Sequence, residues 1–158
     1  MSGFARRLQR GVNHQSQGGG GGSTPDASNT GIIGGSTLTP YSGNYTVTTA
    51  DATVQNMNIT GSLTIAADNV TIHNVQIGEG LYLTGYNNAS LSRCDLTSAW
   101  IDGANVGLTF DACNFHDAEE GPHMQIWDNG GNTSNLTIQN CYFHGLVAYG
   151  SSSNAHTE

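Results

Sequence analysis

The chain contains no lysine, and its four basic residues are all arginines. Three of them, Arg6, Arg7 and Arg10, sit near the start, so residues 11–158 carry Arg93 against all twelve carboxylates, a net charge of −11. A body of that sign repels phosphate backbones, which argues against nucleic acid as its partner. A neutral or cationic partner, or a metal ion, suits it better. No apolar run approaches the roughly 20 residues of a transmembrane helix, so no membrane span is expected. Residues 1–22 are basic but lack the apolar stretch of a secretory signal. The cysteines number three and form no Cys-x-x-Cys pair. An odd count without that spacing supports neither a disulfide framework nor a zinc knuckle.

What is present is a repeat. The pattern apolar-x-apolar-x-x-apolar-x-apolar occurs as ATVQNMNI (52–59), VTIHNVQI (70–77), ASLSRCDL (89–96), LTFDACNF (108–115) and LTIQNCYF (136–143). Successive starts are 18, 19, 19 and 28 residues apart. All 20 apolar slots are filled by apolar residues, in a chain that is only 36% apolar, so chance does not account for the pattern. A fixed period with fixed burial slots is the signature of a solenoid. The two-residue gap in each motif reads as a bend between two short strands, each pointing two side chains inward. A third short strand follows in Leu63 and Ile65, then Leu81 and Leu83. Trp100-Ile101 and Met124 with Ile126 occupy comparable places. The expectation is an all-β chain of about five to six coils, three strands per coil, with like residues stacked about 4.8 Å apart. Thr53, Thr71, Ser90, Thr109 and Thr137 then form an outward hydroxyl column. Cys94, Cys113 and Cys141 share one inward column. Asn56, Asn74 and Asn140 stack at the bend, interrupted by Arg93 and Ala112. These repeats resemble the right-handed parallel β-helices of the pectate-lyase-like superfamily over roughly residues 45–158.

Three segments follow from composition. In residues 1–12, Phe4, Leu8 and Val12 are spaced for one helical face, with Arg6, Arg7 and Arg10 around them, as in a docking peptide that orders on its partner. Residues 13–30 hold five consecutive glycines and read as a flexible linker. Residues 31–158 form the β-helix, with 31–47 as its N-terminal cap covering an otherwise open strand edge. The last coil ends mid-turn after a second Cys-x-Phe-His, and more chain is expected beyond it.

Chemistry concentrates in the long interval between the fourth and fifth repeats. His116, Asp117, Glu119, Glu120, His123 and Asp128 are the catalytic candidates. His144 falls in the slot of His116 one coil later, which makes His116, His123 and His144 candidate ligands for a divalent metal. The pattern leaves three readings open: a solvated acidic loop with histidines at its turns, a metal or sugar site, or an acid/base pair for glycoside hydrolysis. The superfamily resemblance implies polysaccharide lyase or hydrolase activity. Its lyases rely on a cationic group near bound calcium, and Arg93 is the sole cation of the solenoid. Its hydrolases carry Asp-Asp and Gly-His-Gly signatures, which this chain lacks. Trp127, Trp100, Tyr82 and Tyr86 are candidates for a sugar-stacking surface, though their spacing assigns them no common slot.

The order of parts, a basic amphipathic peptide, a glycine tether and a rigid acidic β-helix, resembles bacteriophage tail spikes, tail fibres and minor tail proteins. That layout implies a virion protein, attached to tail-tip or baseplate proteins through Phe4, Arg6, Arg7, Leu8, Arg10 and Val12. It implies a host-surface polysaccharide as the distal partner and a homotrimer as the assembly. A polysaccharide depolymerase and a secreted or cell-surface bacterial adhesin are the alternatives.

Overall fold

A computed structural model of the chain describes residues 23–117, 124–127 and 133–145. Among these residues the regular elements are all strands: β1 (Thr39–Tyr41), β2 (Tyr45–Val47), β3 (Thr53–Ile59), β4 (Leu63–Ile65), β5 (Thr71–Ile77), β6 (Leu81–Thr84), β7 (Ser90–Ser92), β8 (Asp95–Leu96), β9 (Ala99–Asp102), β10 (Thr109–Asp111), β11 (Asn114–Phe115), β12 (Met124–Trp127), β13 (Thr137–Gln139) and β14 (Tyr142–Phe143). Every strand pairing is parallel. Among the described residues the chain is a parallel β-helix of about four coils, carried by β3–β4, β5–β6, β7–β9 and β10–β12, with partial coils at 39–47 and 137–143.

Each coil has three legs. The first carries β7, β10, β13 and the leading halves of β3 and β5. The second carries β1, β8, β11, β14 and the trailing halves of β3 and β5. The third is a five-stranded sheet ordered β12-β9-β6-β4-β2. Between the first two legs the backbone turns through one left-handed residue: Asn56 (φ 52°), Asn74 (55°), Arg93 (55°), Ala112 (51°) and Asn140 (53°). Asparagine tolerates that region because its short amide bonds locally, whereas other L-residues pay roughly 1–2 kcal/mol. A single left-handed residue turns the strand without changing which side faces the core. That is why the alternation skips one position and resumes.

A second left-handed column stands just before the first leg, at Asp51, Asn69, Asn88, Gly107 and Asn135. Its side chains also bond between coils. Asn88 Nδ2 donates to Asn69 Oδ1 at 2.9 Å, and Asp68 beside it accepts from the Asn87 backbone at 2.7 Å. Where the third leg turns back, the fully buried Asn105 donates to the Asp102 and Gly103 carbonyls and accepts from Tyr86 N–H. A buried amide is tolerated there because its polar atoms are bonded.

The core is the continuous column inside the coils. Ile72, Ile77, Leu81 and Leu83 are essentially inaccessible, and each such side chain contributes about 1.5–3 kcal/mol of burial. The registers Leu63↔Leu81↔Ala99↔Met124 and Ile65↔Leu83↔Ile101↔Ile126 fix the inward slots of the third leg. Ala99 and Ile101 therefore point inward, and Trp100 points outward. Toward the last described coil the core opens: Ile126, Ile138 and Phe143 occupy inward columns yet are more than 40% exposed, and no described coil lies beyond them.

Candidate functional site

The register assembles a polar constellation on the second leg. Asn58, Gln76, Asp95, Asn114 and Tyr142 stack in one outward column. His116 and His144 leave the ends of β11 and β14 one coil apart, their rings near-parallel with centroids 6.0 Å apart. His116 Nε2 makes a short contact with Asp95 Oδ1, and its Nδ1 lies 3.1 Å from Asp117 Oδ2. His144 Nε2 bonds Asn114 Oδ1 at 3.1 Å, and Asn114 Nδ2 donates to Asp95 Oδ2 at 3.1 Å. Tyr142 stacks on the His144 ring at 4.5 Å.

With a carboxylate oxygen at each ring nitrogen, the imidazolium is the form of His116 that satisfies both contacts. Burial pulls its pKa down, but the hydrogen bonds and charges of Asp95 and then Asp117 outweigh it, and the net shift is upward. A ring held this way clamps two coils together. In its doubly protonated form it offers no lone pair to a metal. Among the described residues, no three His, Cys, Asp or Glu side chains are placed to share a cation.

Of the candidate catalytic and metal residues, His116, Asp117 and His144 are thus brought together. Glu119, Glu120, His123 and Asp128 lie outside the described residues, as do Phe4, Arg6, Arg7, Leu8, Arg10 and Val12 of the attachment peptide. Asp95, the principal partner of His116, was absent from the candidates. It sits 21 positions away in sequence, and only the column it shares with Asn114 could have found it.

Residues 23–33 lie along the bend column as a strap. Asp26 organises it, accepting from Ser28 backbone and side chain, while Thr30 bonds back to the Asp26 carbonyl. Ile33 N–H donates to Asn74 Oδ1 at 2.8 Å, Arg93 donates to the Asn29 carbonyl at 2.6 Å, and Gly31 N–H donates to the Ala112 carbonyl at 2.8 Å. The strap crosses the two coils where Arg93 and Ala112 interrupt the asparagine ladder, and it satisfies backbone and guanidinium groups there. Gly31 allows the close approach: a Cβ at that position would fall 2.8 Å from Asn114 Cβ and 3.1 Å from Asp95 Oδ2. Of residues 23–30, assigned from composition to the flexible linker, Asn29 bonds the body and Thr30 is buried against it, while Ser23, Thr24, Asp26, Ala27 and Ser28 are exposed. Composition did not reveal this attachment because the contacts are backbone-mediated and span up to 64 positions. Strap and first leg flank an open groove of about 500 Å3 lined by Ser23, Asn29, His73, Ser92, Arg93 and Asp111, among others.

The aromatic candidates also rearrange. Tyr82 and Trp100 share one outward slot after all, paired in register on β6 and β9, with ring centroids 6.4 Å apart and planes 22° from parallel. Tyr86 is half-buried at the neighbouring corner, and the Trp127 side chain lies outside the described set.

The inward cysteine column is free of disulfides; Cys94 and Cys113 are fully buried, and Cys141 is partly so. A hydrogen bond with Cys141 lowers the Cys113 pKa, but the bond with Cys94 and burial prevail and push it up to about 12. Cys141 is raised as well, by its bond with Cys113 and by burial. Such thiols are core filling rather than nucleophiles.

No protein-family model, curated protein or solved structure matches this chain.

Proposed function

We propose that this chain is a structural protein of a bacteriophage tail, a fibre, spike or minor tail protein of the pectate-lyase-like β-helix type. On this reading residues 2–12 dock on tail-tip or baseplate proteins, and the β-helix carries the contact with host-surface polysaccharide, with a trimer as the working assembly.

The observation that supports it best is the junction between tether and body. The strap is bonded to three successive coils, through Asn74, Arg93 and Ala112. A load applied to the preceding peptide is then spread across several coils instead of peeling one strand. That suits an appendage that must stay attached while its body is pulled. The engagement of both His116 nitrogens favours a binding body over a depolymerase centred on that residue.

Deletion of residues 2–12 tests the reading. The shortened protein is expected to fold normally, judged by circular dichroism and thermal melting, and to be missing from purified particles. Normal incorporation into particles would refute attachment through this peptide.

A further inference from the structure

The third leg carries an outward surface that neither the clamp nor the strap uses. Its central column is Thr64, Tyr82, Trp100 and Gln125. Beside it run Ser62, Gly80 and Ser98, aligned by the bonds Leu63 N–H to Gly80 O and Leu81 N–H to Ser98 O. Tyr82 and Trp100 are 43% and 39% exposed, although they sit on a regular sheet. Their ring centroids lie 6.4 Å apart with planes 22° from parallel, an offset-stacked pair along the sheet. Gly80 permits the close approach of the next coil: a Cβ there would fall 2.8 Å from Ser98 Oγ, while meeting Tyr82 Cε2 only at an ordinary 4.0 Å. The two columns contain no charged side chain; Glu79 and Asp102 stand only at their margins.

We propose that the Tyr82–Trp100 pair is a binding subsite for a neutral polysaccharide chain, an inference that rests on the glycan-binding reading above. A pyranose ring has an apolar C–H face and a hydroxyl rim. Adjacent flat aromatic rings accept the C–H face, and the groups around them accept and donate at the rim. Thr64, Thr84, Ser98 and Gln125 supply that surround, with the Glu79 carboxylate at the margin as an acceptor. The acidic body, net −11 over residues 11–158, disfavours a uronate or phosphate-bearing chain. A second copy of the protein is the poorer occupant. Two aromatic side chains of about 150–250 Å2 each, already more than half covered, fall far short of the roughly 800 Å2 per partner of a stable interface.

The test titrates the full chain with cellohexaose, maltohexaose, mannohexaose and chitohexaose, with polygalacturonate as the anionic control. Tryptophan fluorescence and calorimetry are the readouts. At least one neutral oligosaccharide is expected to bind and to perturb the tryptophan emission. Trp100→Ala and Tyr82→Ala should each weaken it at least about tenfold, while Tyr82→Phe keeps most of the affinity and melting temperatures stay level. Binding by none of the neutral sugars, preference for polygalacturonate, or undiminished binding by Trp100→Ala would overturn the proposal. So would a change of oligomeric state in Trp100→Ala, seen by light scattering, since that makes the pair a contact between copies. The protein lacking residues 2–12 should bind sugar normally, so failure of the subsite and failure of the attachment reading are separable.

Discussion

His116 ties the charge pattern of the chain to its stability. Its folded pKa lies above the ordinary value of 6.5, because Asp95 and Asp117 together outweigh the opposing effect of burial. A group whose pKa rises on folding stabilises the fold fully below its unfolded pKa, and that contribution fades as pH climbs through the folded pKa. Stability measured by urea unfolding should therefore decline as pH is raised from about 6.5. The decline should be largely absent in His116→Gln, which keeps a polar side chain without a titration; an equal decline in that variant would contradict the clamp. At this scale the sequence was only half legible. His116, Asp117 and His144 stood out as a chemical group, and the spacing set His144 above His116. Asp95 did not stand out, because an acidic residue in an outward slot looks like any solvated carboxylate until the neighbouring coil is laid over it.

The element that defines each coil is its bend, and Asn74 shows what holds it. This residue is completely buried and left-handed (φ 55°); its Nδ2 donates to Asn56 Oδ1 at 2.7 Å, and its Oδ1 accepts from Ile33 N–H of the strap at 2.8 Å. Asn74→Ala loses both bonds and keeps the backbone strain, an expected cost of about 2–4 kcal/mol. Asn74→Gly loses the same bonds without the strain and should be milder by about 1–2 kcal/mol. Urea unfolding of the two variants separates the contributions, and equal costs would show that the left-handed backbone is not strained. The bend was readable from the broken alternation and from asparagine at three of five positions. The turn before each first leg was readable too, in the run Asp51, Asn69, Asn88, Gly107 and Asn135, but its signal lay one residue outside the repeat that drew attention. The strap was not readable, since its strongest contacts use the backbone of Asn29, Gly31 and Ile33, which any sequence possesses.

For the whole molecule, the consequence of stacking is a narrow core with long, regular outer faces. Apolar period alone fixed the parallel architecture and the hydroxyl column Thr53, Thr71, Ser90, Thr109 and Thr137, all of which pair in register. The third leg was harder to read, because its offset from the repeat is not constant: Leu63 follows Ile59 and Leu81 follows Ile77 at equal spacing, but Ala99 comes sooner after Leu96 and Met124 much later after Phe115. That is why Trp100 could be mistaken for an inward residue and its alignment with Tyr82 missed. The most direct measurement of the coil is dipolar broadening between nitroxide labels on that outward hydroxyl column. Labels at Thr71→Cys and Ser90→Cys should sit one coil apart, about 5 Å at the backbone, and labels at Thr71→Cys and Thr109→Cys two coils, about 10 Å. Strong broadening for the first pair and weaker broadening for the second is the predicted result. Lineshapes that match the singly labelled proteins for both pairs would contradict the helix and everything built on it.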